Sequence, residues 1–219
     1  MVRTILTEGL NLLGITPTDI ILESFEIYLN ELKKWSKVHN LTAIDDDIGI
    51  IERHFLDSLL FLNVLPDDVN TLIDIGSGAG FPGIPLKIVN RRLKIWLIEP
   101  RQKKTAFLRN IISKLNLNDV KIIEKRVEDI IDGDIDVEID AGVVRALFNV
   151  TDFVKMVTPI IKTNGLMILS KGQNYNKELE GFKGSYSITS SLIPNTEIKR
   201  YLISVVNVKP CPADLLHSL

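Results

Sequence analysis

The sequence is poor in residues that cross-link, anchor or ligate. A single cysteine, Cys211, stands in 219 residues, so no disulfide can close within the chain. The N-terminus has no basic stretch leading into an apolar run and a cleavage site. Together these absences point to a reducing cytoplasm. No apolar run approaches the roughly 20 residues of a membrane-spanning helix, so no membrane partner is expected. The histidines His39, His54 and His217 form no Cys/His cluster with metal spacing, and metal-free chemistry is the expectation. A net charge of -2 supplies no overall attraction for nucleic acid. Any RNA contact must come from local cations: Lys33, Lys34 and Lys37, then Arg91, Arg92 and Lys94, then Arg101, Lys103, Lys104 and Arg109. These are either solvated helix faces or a nucleic-acid footprint.

What is present is a core. Hydrophobic residues make up 45% of the chain, which excludes disorder and suffices for a compact enzyme domain. Up to about residue 65 the apolar residues recur at three and four (Ile20, Ile21, Phe25, Tyr28, Leu29, Leu32), the stripe of a helix. Thr16-Pro17 reads as the opening of the long helix, and Asp45 to Asp47 as the start of the one carrying His54 and Asp57. From Thr71 strands and helices alternate. Strands are expected at 71–75, 94–99, 120–125, 141–145 and 165–170, with helices near 83–90, 103–116 and 148–161. Such alternation predicts a parallel sheet covered on both faces. Residues 186–191 and 197–208 read as a terminal antiparallel pair. The division expected is a helical extension, 1–65, and one compact α/β unit, 66–219.

The chemistry concentrates where the first strand ends. Residues 71–83 read Thr-Leu-Ile-Asp-Ile-Gly-Ser-Gly-Ala-Gly-Phe-Pro-Gly, an apolar strand with Asp74 near its end and then a loop of four glycines. Gly76 and Gly78 permit a sharp turn and close approach of a ligand. The second strand ends in Glu99, placed to accept two ribose hydroxyls, so an adenosine-containing cofactor is expected. Pro82 and Pro85 intrude where a pyrophosphate reader needs free backbone donors. A phosphate-free adenosine ligand, S-adenosyl-L-methionine, fits better. No Gly-Lys-Ser or Gly-Lys-Thr makes a P-loop, and Ser77 lacks the spacing of a hydrolase nucleophile.

Further segments carry a family resemblance: Asn40-Leu-Thr42, Arg53-His-Phe-Leu-Asp-Ser58, the loop extended to Gly-Phe-Pro-Gly-Ile-Pro85, Lys103-Lys-Thr-Ala-Phe-Leu108, Arg126-Val-Glu128, Arg145-Ala146 and Lys171-Gly172. Over most of its length the chain resembles the glucose-inhibited division protein B family, bacterial methyltransferases acting on N7 of a guanine in small-subunit ribosomal RNA. The resemblance implies a class I S-adenosylmethionine-dependent methyltransferase fold, Rossmann-like, with a mostly parallel seven-stranded sheet. It implies that Gly76 and Phe81 line the cofactor, that Val127 and Glu128 contact its adenine side, and that Arg145 lies near its methionine end. Val144 departs from the small or hydroxyl residue usual before that arginine. Ribosomal RNA or the small subunit is the implied partner. Asn40 belongs to the substrate side, His54 and Asp57 are candidates for the substrate mouth, and Arg126 and Lys171 for RNA phosphate or guanine O6. Alternatively, His54 is a core histidine satisfied by Asp57. Guanine N7 has a lone pair and no proton, so no catalytic base is expected. Two other readings compete: a methyltransferase acting on a protein or small molecule, and a noncatalytic RNA-binding assembly factor.

Overall fold

Helix boundaries follow local capping chemistry. In the computed structural model, which describes residues 1–131 and 133–208, helix α1 is Val2–Leu12 and α2 is Asp19–His39. The cap of α2 is Thr18, whose hydroxyl accepts from Ile21 N, and not the Thr16-Pro17 step. Asn40 ends α2 in the left-handed region at φ 49. Asp46 accepts from Gly49 N at 2.7 Å and opens α3, Asp47–Ile50. The chain then widens into a π-helical turn, Ile51–Leu56, before α4, Asp57–Leu59. Such turns are rare and concentrate at functional sites. Here it carries His54.

The sheet contains β1, Thr71–Ile75; β2, Lys94–Ile98; β3, Val120–Ile123; β4, Ile139–Arg145; β5, Ile161–Lys171; β6, Ser187–Leu192; and β7, Lys199–Val206. Between them run α5, Gly83–Val89; α6, Gln102–Lys114; α7, Val150–Val157; and α8, Tyr175–Glu178. The order is β3-β2-β1-β4-β5-β7-β6. The first five strands are parallel, and β7 enters antiparallel to both β5 and β6. The terminal pair therefore forms as expected, with the later strand inserted. Burial explains the order: β7 brings Leu202, Ile203 and Val205 into the core, whereas β6 is rich in serine and suits an edge.

Most boundaries fall within two residues of the sequence reading, and the larger differences are at α7 and β5. α7 is shorter than the expected 148–161, and β5 starts at Ile161 instead of 165. The cause is a bulge: Ile139 pairs Ile161 but Ala141 pairs Leu166. The Asn207 amide donates to Thr158 O, Ile161 O and Lys162 O, pinning that irregular stretch. Cys211 and His217 lie outside the described residues. Leu6, Phe25, Tyr28 and Phe55 from the first 65 residues share one core with Leu72, Ile95 and Ile168 of the sheet. The other face packs Ile73, Trp96, Val144 and Phe153. Helical segment and sheet therefore solidify together around the loop after β1.

Asp46→Ala removes one N-terminal acceptor and should cost roughly 1 kcal/mol. A denaturant midpoint lowered at constant slope is the expected result; no shift would mean that the cap does not hold the segment carrying His54.

Candidate active site

The glycine loop spends its own donors. Ser77 N donates to Ile98 O at 3.0 Å, Gly80 N and Phe81 N to Ser77 O at 2.7 and 2.8 Å. Gly78 N donates to Glu99 Oε2 at 3.0 Å and Gly83 N to Asp74 Oδ2 at 2.8 Å. A pyrophosphate cradle needs such N–H groups pointing outward. Here they face inward, so the donor set suits an adenosine ligand without phosphate. Each Glu99 oxygen keeps acceptor capacity beyond its one backbone bond, the second running from Arg101 N to Oε1 at 2.9 Å. Ribose hydroxyls can use that capacity.

Asp74 is fully buried, and its Oδ1 has no partner among the described residues. Burial pushes its carboxyl up to about 7; the Gly83 N–H and the Arg145 charge pull the other way, and Glu99 adds to the rise. It sits beneath the loop, bonded to its backbone.

Beyond the strand ends lies a cleft of about 560 Å³ lined by Gly76, Glu99, Arg126, Val127, Glu128 and Arg145, six of the residues expected at the site. Open α/β sheets bind ligands in this position. Three other expected cofactor residues do not line it. Asp74 is sealed below, Gly78 turns the loop with its N–H held by Glu99, and Phe81 lies in an aromatic stack between Tyr28 and His54. Phe81 is thus a plate behind the site. A second cleft of about 430 Å³ contains His54, Asp57, Lys171 and Arg200, and Arg145 forms the wall between the two.

Arg145 organises that wall. Its Nη1 donates to Arg53 O at 2.9 Å and lies 3.4 Å from Asp57 Oδ2, its Nη2 lies 3.0 Å from His54 Nδ1, and its guanidinium is 5.0 Å from the Phe81 ring centre. Arginine only donates, so His54 Nδ1 accepts. The ring proton then sits on Nε2 and is donated to Thr42 Oγ1 at 2.6 Å. Burial and Arg145 pull the His54 pKa down to about 3, so the ring is neutral at cellular pH. Asp57 does not satisfy His54; it accepts Arg200 Nε at 2.9 Å and Nη2 at 3.1 Å in a bidentate pair.

Lys171 also departs from expectation. Its buried ammonium donates to Leu147 O at 3.3 Å and to Phe148 O, and pairs with Glu178 at 2.6 Å. An ammonium has three donors, and all are engaged. Lys171 therefore pins the turn after β4, where Ala146 and Phe148 take positive φ, and is not a free cation for phosphate. Asn40 lines neither cleft; its neighbour Thr42 is the residue that reaches His54. Of the basic groups, Lys33 pairs with Asp47 and Arg109 with Glu124, whereas Lys34, Lys37, Arg101, Lys103 and Arg126 are exposed with no ion pair among the described residues. Among those residues, no three His, Cys, Asp or Glu side chains converge as a metal site.

Residues 21–200 match the family model described as rRNA small subunit methyltransferase G. The chain belongs to that family. It is 35% identical over 219 residues to the ribosomal RNA small subunit methyltransferase G of Acetivibrio thermocellus, covering 96% of this chain and 90% of that protein. The protein of the same name from Polynucleobacter asymbioticus is 34% identical, covering 94% of this chain and 99% of its own. A SAM-dependent methyltransferase from Aquifex aeolicus superposes with a TM-score of 0.55 at 15% identity, over 80% of this chain and 98% of that one. The fold is the class I methyltransferase fold, with helices added at the N-terminus. Both the family and the fold match the resemblance read from the sequence.

Sequence reasoning missed two side chains in this family member: Arg200, which lines the second cleft, and Tyr28, which packs on Phe81 behind the glycine loop. Arg200 stands 143 positions from Asp57, and only the insertion of β7 brings them together. Tyr28 lies within the helical stripe that marked the core, and no local signal separates it from its apolar neighbours.

The titrations of His54 and Asp74 oppose one another. His54 has a folded pKa near 3 against 6.5 unfolded, so its share of stability is lost as pH falls from about 6.5 toward 3. Asp74 is raised from 3.8 to about 7, so its share is lost as pH rises through that window. His54→Gln should destabilise less at pH 5 than at pH 7 relative to wild type, measured by denaturant unfolding. An equal or larger deficit at pH 5 would contradict the neutral, buried imidazole.

Proposed function

We propose that this protein transfers a methyl group from S-adenosyl-L-methionine to N7 of a guanine in small-subunit ribosomal RNA, in the cytoplasm. The observation that carries the reading is the pair of clefts meeting at Arg145, on the glycine-loop scaffold of a chain matching the family model over residues 21–200. The first cleft offers Glu99 to a ribose, Val127 and Glu128 to an adenine, and Gly76 and Arg145 toward the methionine part. The inward-turned loop donors favour a ligand lacking phosphate. Exposed Arg126 and Arg101 at the rim suit RNA phosphates.

When bound, the cofactor supplies an electrophilic methyl group on a sulfonium. The chain's own task is alignment and charge placement. N7 of guanine carries an available lone pair and no proton, so no side chain has to remove one. The site agrees with that demand: both His54 nitrogens are committed, Asp74 is sealed, and Lys171 is tied to carbonyls. Positive charge moves onto the purine, so a free cation beside N7 would raise the barrier. Arg145 is held off by Asp57, its neighbours and the face of Phe81.

The deciding experiment incubates the protein with methyl-labelled donor and unmodified ribosomal RNA or small subunits, then maps the label by digestion. A single 7-methylguanine is expected. Label in protein, in a small molecule or at another RNA atom overturns the reading. Arg126→Ala should weaken RNA binding and reduce its salt slope by about 1. An unchanged slope removes Arg126 from the RNA face.

A further inference from the structure

Tyr28 is fully buried in the middle of α2, with Phe55, Phe81 and Phe107 stacked around it at ring separations of 5.0, 5.5 and 6.2 Å. Its hydroxyl is the one polar atom in that aromatic group, and it donates to the carbonyl of Ala79, inside the glycine loop. Among the described residues nothing else donates to that carbonyl, and Ala79 is itself 4% exposed. Gly80 makes the contact possible. It has φ +98, and a Cβ there would stand 2.7 Å from the Tyr28 hydroxyl and 2.6 Å from Ile84.

We propose that Tyr28 is a positioning residue for cofactor binding, through which the N-terminal helices hold the glycine loop in its ligand-ready shape. The inference rests on the functional reading above and adds a role for the helical segment beyond any contact with RNA. The N–H groups of Ser77, Gly78, Gly80, Phe81 and Gly83 are bonded within the loop or to its strand ends, whereas the Ala79 carbonyl takes its hydrogen bond from α2. Losing the hydroxyl leaves a buried carbonyl unpaired, and the loop regains its partner only by turning it elsewhere. Such a turn moves Gly78 and Phe81, and with them the Glu99 carboxylate bonded to Gly78 N. Burial pushes the Tyr28 phenol well above its ordinary value, so the O–H donor persists across the physiological range.

The test is Tyr28→Phe in the full chain, which keeps the rings and removes one atom. Calorimetric titration with S-adenosyl-L-methionine should give a dissociation constant raised about tenfold, the size of one buried hydrogen bond. RNA affinity and kcat at saturating cofactor should stay within about twofold. Hydrogen exchange at Ala79 to Phe81 in the free protein should quicken. Ile111→Val, buried in the same core on α6, controls for general destabilisation: it should lower the melting temperature without changing cofactor affinity. Unchanged affinity in Tyr28→Phe overturns the assignment, as does an equal loss in Ile111→Val. No cofactor binding by the wild type overturns both this inference and the functional reading. That result is distinct from a variant matching a wild type that binds.

Discussion

Arg145 is a permanent cation at the end of a central strand, with its side chain only 16% exposed. A guanidinium has five donors and no acceptor, and burial without partners would be prohibitive. The surrounding structure is the answer to that constraint. A π-helical turn offers the Arg53 carbonyl, the Nδ1 of His54 and, one residue past the turn, the Asp57 carboxylate. Arg200 enters from β7 to complete the coordination of Asp57, and Phe81 presents its ring face. Helical segment, glycine loop and antiparallel strand therefore meet at one charge. That meeting also forms the wall between the two clefts.

The same economy of polar groups shapes the loop. Because the N–H groups of Ser77, Gly78, Gly80, Phe81 and Gly83 bond inward to Ser77, Ile98, Asp74 and Glu99, the surface the loop shows a ligand is shaped more by the closeness of its backbone than by those donors. The demand for bonded backbone groups in a dry interior explains the acid near the end of each of the first two strands. Asp74 and Glu99 each close the loop from below, and only Glu99 also reaches the cleft. Asp74 is left with one oxygen unpartnered among the described residues and a pKa near neutrality, the cost of burying a carboxylate beneath the loop.

Much of this was legible in the chain. The alternation from Thr71 identified the parallel strands, and the terminal β-prone segments identified the antiparallel pair, because period and turn chemistry are local properties. The loop, Glu99, Val127, Glu128 and Arg126 meet at one cleft because each follows a strand, and strand ends converge at one edge of a parallel sheet. Phe81 and Lys171 were harder. A phenylalanine beside a glycine loop and a lysine at a strand end have the same letters whether they face a ligand or the interior. The stack of Tyr28 and His54 on Phe81, and the carbonyls that surround the Lys171 ammonium, come from segments far away in sequence.

The sequence by itself determined the fold class, the loop and the phosphate-free character of the ligand, since glycine and proline placement and strand periodicity act within a few residues. Only the tertiary structure decided which charged groups are free. Asp57 chooses Arg200 and Arg145 over His54, and Lys171 chooses backbone carbonyls over solvent. Those choices are made by desolvation, which depends on everything packed around a group and so has no local signature.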